Sequence, residues 1–457
     1  MKENNFFFSR KLALLYLFIW SLCFHSHILL TKQFLFYREL LSFLFLILSI
    51  WYLVKFKLWS ELFKKEILIL LIPYSIFIII IILNPGDLDP EYVKSSRVLT
   101  SELNDEILIS YIIRNFILFV PILFFFFMKG LSENEIQIIV KIYFVLGILN
   151  LYIFLNNSLE THNTSILEFL IYNNIYSENN NHTPLISGLF AIGTYLSIKE
   201  KNNYLFILFS FLSSFYFYLI FLSSGKAAII FSILSLIFFM IVFFKNKIRL
   251  FTFLFILASS FYILHLSVSS YIEIHKKKLS LEGAQFKNCP WEFERCLERR
   301  PRLLSENEFI YPIFDKDLER LNLNPRIEIY KEFFNSNKTV IKENKKEFWF
   351  GNGSLSMMFS GLHNDYMRIY FRTGILGLIF SFIPIFYFFF IFFIFSYQQY
   401  FYKKRTDIIY LLFILLTFIP YYSLFAYPRE STYQSGTFWL SMFLVYGYLS
   451  NNYKKYK

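Results

Sequence analysis

The sequence predicts an all-α membrane protein, a polytopic bundle of about twelve transmembrane helices with a helical cap on its outer face between the ninth and tenth spans. Three observations predict it. Hydrophobic residues make up 56% of the chain and aromatics 22%. The apolar residues gather in unbroken runs of about 18 or more, the length that crosses a hydrocarbon core as a helix. Lysine and arginine recur in alternate loops, the asymmetry that orients membrane spans. Lipid offers backbone groups no partner, so such runs must be helices or a closed barrel. Their continuous rather than alternating hydrophobicity excludes the barrel. The 62 phenylalanines are read as composition, in keeping with an AT-rich genome, and not as a binding site.

The spans fall at 11–30, 36–54, 66–84, 107–128, 136–155, 183–198, 204–222, 226–244, 250–268, 374–397, 407–425 and 437–450. The second is crowded by Arg38 and Glu39, and the sixth is short. With the N-terminus inside, the inner loops hold such groups as Lys55, Lys57, Lys64 and Lys65, then Lys199 and Lys201, then Lys245, Lys247 and Arg249, then Lys403, Lys404 and Arg405. The short outer loops hold only Lys32, Arg38, Lys94, Arg97, Lys226 and Arg429. Both termini are therefore expected in the cytoplasm. The formal charge of +12 is mostly this topology signal, and it gives no reason to invoke nucleic acid. The first span lacks a small-residue cleavage site and is expected to be an uncleaved anchor.

The expected division is residues 1–268 for the first nine spans, 269–373 for the large outer loop, and 374–457 for the last three spans and the tail. The outer loop is highly charged with both signs interspersed. Its stretch from 314 to 347 is partly periodic in Leu318, Leu321, Ile327, Ile329, Tyr330, Phe333 and Phe334, as helices are. Of three cysteines, Cys23 lies in the first span as inert packing. Cys289 and Cys296 flank Pro290–Arg295 in the outer loop, where an oxidising compartment favours a bridge over two free thiols. Their spacing is not a zinc signature.

The densest chemistry runs from Trp349 to Phe380. Trp349-Phe350-Gly351-Asn352-Gly353 is followed, nine residues later, by His363-Asn364-Asp365-Tyr366-Met367-Arg368, and then by Arg372-Thr373-Gly374-Ile375-Leu376-Gly377-Leu378. The polar stretch is expected to lead straight into a membrane span. His363 can accept a proton from a hydroxyl near neutral pH. A lone histidine is more often a group bonded to a loop, and that reading stays open. Tyr366 and Tyr370 suit a polar stripe near the site and interfacial packing equally. Arg326, Arg368, Arg372 and Lys226 are placed to grip phosphate, Arg in bidentate fashion and Lys as a point charge. Snorkelling to headgroups is the alternative. Arg114 lies within the fourth span, where a charge usually faces a cavity. Asp87-Leu88-Asp89 can hold a divalent metal, but Pro85-Gly86 and Pro90 make it a plain turn, and no metal is expected. The phosphate-binding P-loop, GxSxG and HExxH motifs are absent.

These elements, in this order, resemble the O-antigen ligase and O-antigen polymerase superfamily. Gly351-Asn352-Gly353 resembles its G-x-G turn, His363-Asn364-x-Tyr366 its H-N-x-Y/F element, and Gly374-x-x-Gly377-Leu378 its glycine step into the next span. Arg326-x-x-x-Tyr330 is similar to R-x-x-x-W, and Ser224-Gly225-Lys226-Ala227-Ala228 to its S-[RK]-G/A turn. The resemblance covers residues 180–385 or so. It implies a multi-pass protein of the bacterial inner membrane with a periplasmic cap. It also implies transfer of a glycan from undecaprenyl pyrophosphate to an acceptor hydroxyl, on lipid A–core or on a second lipid-linked glycan, with no cofactor. It assigns His363 as base, with Arg326 and Lys226 holding the donor pyrophosphate. Arg368, Arg372, Arg114, Tyr366 and Asn364 would line the substrates, lipid included. Lys226 stands where ligases often carry Arg, which leans toward a polymerase. One large outer loop leans toward a ligase. Transfer to protein is a third possibility. A transporter or flippase would show internal repeats and broken helices meeting at midplane charges, and the sequence shows neither.

Overall fold

The computed structural model describes residues 46–47, 50–51, 53–55, 63, 65–84, 86, 130–162, 183–222, 226–286, 331, 335, 345–353, 364–401, 407–425 and 435–452. Among them the regular structure is entirely helical: α1 (Lys65–Leu83), α2 (Glu133–His162), α3 (Thr183–Lys199), α4 (Asn203–Leu222), α5 (Lys226–Val242), α6 (Lys247–Phe286), α7 (Lys345–Phe350), α8 (Asp365–Phe401), α9 (Ile408–Phe425) and α10 (Ser435–Asn452). Among the described residues three stretches are long and apolar enough to cross a membrane, at Asn203–Phe221, Phe244–Ser267 and Tyr366–Gln398. Shorter apolar helices run over Ile67–Leu83, Leu185–Lys199, Ala227–Val242 and Ile408–Leu424. The expected spans from 66–84 onward fall on described helices, save 107–128, which with 11–30 lies outside the described residues. Of 36–54 only scattered helical residues are described.

The chain divides into two compact units, residues 140–322 and residues 1–139 with 323–457. In the first, α3 packs against α4 and α5, and α4 against α6. The short sixth span proves to be a central element: α3 is buried from Leu185 to Ile198. Small residues let its neighbours approach, the usual device where lipid supplies no hydrophobic drive between helices. A Cβ on Gly193 would strike Ser213 Oγ and the Phe144 ring, and one on Gly147 would meet Leu189 and the Tyr216 hydroxyl. The buried hydroxyls of Thr194, Ser197, Ser210, Ser213, Ser214 and Ser235 each donate to the carbonyl four residues back in their own helix. These six side chains are thus buried without orphaned donors. Aromatic edges fill the remaining space, with Phe144 against Phe209 and Tyr216 at 5.7 and 5.5 Å between centroids.

The helix carrying the ninth span does not stop at 268. It continues to Phe286 as one 40-residue helix, about 60 Å long at 1.5 Å per residue. That is about twice the hydrocarbon thickness, so roughly half of it belongs to the polar insertion. No Pro or Gly interrupts the sequence between Lys247 and Glu282, and nothing local ends the helix at the hydrophobic boundary.

At the α3–α4 turn, Glu200 accepts from Lys141 Nζ of α2 at 2.6 Å and from the amides of Lys201 and Asn202 at 3.0 and 3.2 Å. Burial pushes the Glu200 carboxyl up. The Lys141 hydrogen bond, the two amides and the Lys141 charge outweigh that and hold it below its ordinary value. A depressed carboxylate stabilises the fold above its unfolded value and loses that contribution as pH falls through the folded one. Lys141→Met is therefore expected to lower the thermal midpoint in detergent at pH 7, by a free energy of at most about 1 kcal/mol, because Lys141 is partly exposed and water screens the pair. The difference from wild type should vanish below the ordinary carboxylate range. A gap that persists there would trace to packing.

In the second unit, α8 packs against α1, α7, α9 and α10. Ser132 and Glu135 form a capping box at the start of α2: Ser132 Oγ accepts from the Glu135 amide at 3.3 Å, and Glu135 Oε2 accepts from the Ser132 amide at 2.8 Å. The preceding turn is zipped to the end of α10. The Leu131 amide donates to the Gly447 carbonyl at 3.0 Å, Gly130 N–H to Ser450 Oγ at 2.6 Å, and Asn451 Nδ2 to the Leu131 carbonyl at 3.1 Å.

Candidate functional site

Three interruptions of the backbone meet in this unit: the end of α1 donates hydrogen bonds to the G-x-G turn, and that turn donates to the break in α8. The first is in α8. Gly374 has φ 66° and ψ −168°, a region essentially confined to glycine. It divides α8 into a front segment, 365–373, and a rear segment, 375–401. In an unbroken helix Tyr366 and Phe382 would stand about 24 Å apart. Instead their rings stack, with centroids at 4.4 Å and planes at 22°. The front segment therefore folds back over the rear one. The polar stretch does not run straight into the membrane span as expected; it forms its own short helix, because Gly374 reverses the chain.

A break in a helix frees the carbonyls of the preceding turn. Two of these, Phe371 and Arg372, accept from the amides of Asn352 and Gly353 at 2.8 and 3.1 Å. The second interruption, the G-x-G turn, thus caps the end of the front segment. The fit is backbone against backbone. A Cβ on Gly351 would strike the Arg372 carbonyl carbon, and one on Gly374 would strike the Trp349 carbonyl. Gly351 and Gly353 have φ of 76° and 100°. Gly351 closes α7 in the αL manner, its amide donating to the Glu347 carbonyl at 2.8 Å.

The third interruption is the end of α1. Asn84 Nδ2 donates to the Phe350 and Gly351 carbonyls at 2.8 and 3.1 Å, covering the groups freed where α7 ends. Two residues on, Gly86 has φ 69°, and a Cβ there would lie 2.6 Å from the Asn352 carbonyl oxygen. The sequence reading took this stretch as a plain turn beside Asp87 and missed Asn84 altogether.

The front segment carries four of the candidate residues. Asn364 is its N-cap: Oδ1 accepts from the Met367 amide at 3.0 Å, the position and residue type that satisfy a helix start. Its Nδ2 donates to the Leu424 carbonyl at 3.1 Å, one of the last carbonyls of α9. One side chain, 4% exposed, thus caps the start of α8 and the end of α9. Asn364→Ala is expected to lose about 2 kcal/mol of stability from the cap and the stranded carbonyl. Asn364→Asp should keep the cap but lose the tie to α9, and fall between the two. Thermal unfolding in detergent checks the order wild type, Asp, Ala.

Tyr366 reaches the Pro420 carbonyl, inside α9, with its hydroxyl over a long 3.5 Å. Arg368 and Arg372 lie four residues apart, on one face of the front segment. Arg368 is half-buried, and Arg372 is only 6% exposed. Two guanidinium groups one turn apart, the second sunk beside a glycine break, suit an anionic ligand with several acceptor oxygens. Lys226 opens α5 in the other unit. His363, Arg326 and Arg114 lie outside the described residues, as do Asp87, Asp89, Cys289 and Cys296. Among the described residues no three His, Cys, Asp or Glu side chains gather as a metal would require.

Residues 208–382 match the family model described as O-antigen ligase. Every candidate site residue except Arg114 falls inside that stretch. No curated protein and no solved structure matches the chain.

Proposed function

We propose, from the premise that this chain is a member of the O-antigen ligase superfamily through residues 208–382, that it is a metal-independent glycosyltransferase of the inner membrane. It takes a glycan from undecaprenyl pyrophosphate and joins it to a hydroxyl of lipid A–core at the periplasmic face. The family match is the observation that carries this reading, and the buried Arg372 beside the Gly374 break supports it. His363 takes the proton from the acceptor hydroxyl as the hydroxyl attacks the anomeric carbon. The glycosyl–phosphate bond breaks, and undecaprenyl pyrophosphate leaves with the bonding electrons. Negative charge grows on the leaving group in the transition state, so fixed cations around it lower the barrier. Arg326 and Lys226 hold the pyrophosphate. Arg368 and Arg372 supply further guanidinium donors, and Arg114, Tyr366 and Asn364 line the substrates. Lys226, in place of the Arg usual in ligases, favours a second reading, polymerase action on another lipid-linked glycan.

Purified protein supplied with undecaprenyl-pyrophosphate glycan, with and without lipid A–core, tests both. Product only with lipid A–core is the expected result. Glycan lengthening on the prenyl carrier without it would replace the ligase reading with the polymerase. No transfer in either arm would sink both.

A further inference from the structure

We infer that Asn84, at the end of α1, is a positioning residue of the transfer site: it fixes the backbone of Arg372 through the G-x-G turn. The inference rests on the transfer reading for its activity consequences, and on geometry alone for the rest.

The chain of contacts is short and entirely within one unit. Asn84 continues α1 by one hydrogen bond, its amide donating to the Ile80 carbonyl at 3.0 Å, so its side chain stands on a rigid helix end. That side chain spans 266 residues of sequence to hold the Phe350 carbonyl and 267 to hold the Gly351 carbonyl. The next two residues of the turn, Asn352 and Gly353, donate their amides to the carbonyls of Phe371 and Arg372. Gly86 closes the other side, with Gly353 Cα 2.8 Å from where its Cβ would stand. The turn is therefore held between α1 and the front segment of α8. On the α1 side, the side-chain hydrogen bonds to it come from Asn84 Nδ2, a donor that a carboxylate or a methyl group lacks. Releasing the turn frees the Arg372 carbonyl, and with it the backbone that sets where the guanidinium lies. Displacements of about 1 Å at a positioning group cost a transferase far more rate than stability.

The test compares Asn84→Asp with Asn84→Ala in the full-length protein in detergent. Asp keeps the volume and removes the donor, placing a carboxylate against two carbonyl oxygens. Amide hydrogen exchange at Asn352 and Gly353 is expected to accelerate at least tenfold in both variants, more in Asp than in Ala, with α3 and α4 unchanged. In the transfer assay kcat should fall about tenfold at saturating donor, the size of one hydrogen bond's net worth, while the thermal midpoint stays near wild type. A packing role predicts the opposite order, with Asp close to wild type and Ala impaired. That order, or unchanged exchange at 352 and 353, would overturn the inference. If Asp does not insert, Asn84→Ser, with a shorter donor arm, should give a smaller rise in exchange at the same two amides. If wild type transfers no glycan, the transfer reading fails, and the exchange at these two amides alone decides whether Asn84 holds the turn.

Discussion

Gly374→Ala is expected to abolish glycan transfer and to cost several kcal/mol of stability. Two independent terms act in the same direction. A backbone at φ 66° and ψ −168° is strained for any residue with a Cβ, at about 1–3 kcal/mol. The added methyl would also meet the carbonyl of Trp349, with the Phe350 nitrogen at 2.5 Å. These are backbone atoms that no rotamer change can move aside. The α7 end must withdraw, which breaks the bonds from Asn352 and Gly353 to Phe371 and Arg372. Alternatively Gly374 turns helical, which would straighten α8 and pull Tyr366 off Phe382. Either way Arg368 and Arg372 leave their places. Ile379→Ala, five residues on in the rear segment and with an exposed side chain, is the contrasting substitution. Gly377→Ala is not, because an added Cβ there would strike the buried Thr373 side chain of the front segment. Membrane yield, thermal unfolding and transfer, measured for both variants, should separate them clearly. Equal behaviour would mean that the break at 374 is not required.

Much of this was legible in the sequence because it is local. A run such as Ile408–Phe425 announces a helix by hydropathy alone. Gly374 marks the step into the next span. Asn364 was legible as a site residue only through its place next to His363. Its described contacts, a cap on Met367 and a tie to Leu424, are those of a residue that orients the front segment. The length of α6 was not legible, because the hydropathy pattern ends at the membrane boundary while the helix, which needs only favourable backbone geometry and partners, goes on. Least legible was Asn84. A single Asn before Pro85-Gly86 reads as turn chemistry, and only the fold brings it to a turn more than 260 residues away. Long-range satisfaction of freed backbone groups leaves no periodicity or motif behind. It follows from the rule that buried carbonyls and amides find partners, but which partner is chosen depends on the fold.

His363→Ala is expected to reduce transfer by about 10²–10⁴-fold, the range over which a positioned acid–base group contributes, while leaving membrane insertion and thermal stability near wild type. The expectation rests on where His363 stands in the chain: it immediately precedes Asn364, whose side chain is fixed at both ends by hydrogen bonds of 3.0 and 3.1 Å. Removing the imidazole takes away the group to which the resemblance assigns the role of base. Histidine is also the side chain that exchanges a proton near neutral pH, as a base for a sugar hydroxyl must. His363→Gln keeps a hydrogen-bonding group of similar reach without that exchange, and it should be as impaired as Ala. Recovery of substantial activity in Gln would mean that His363 serves as a hydrogen bond only. Normal transfer in Ala would remove it from the mechanism and leave the cations Arg326, Lys226, Arg368 and Arg372 to act on the leaving group alone. The loss should appear in kcat at saturating donor and acceptor, since a base acts in the transition state and contributes little to holding either substrate in the ground state.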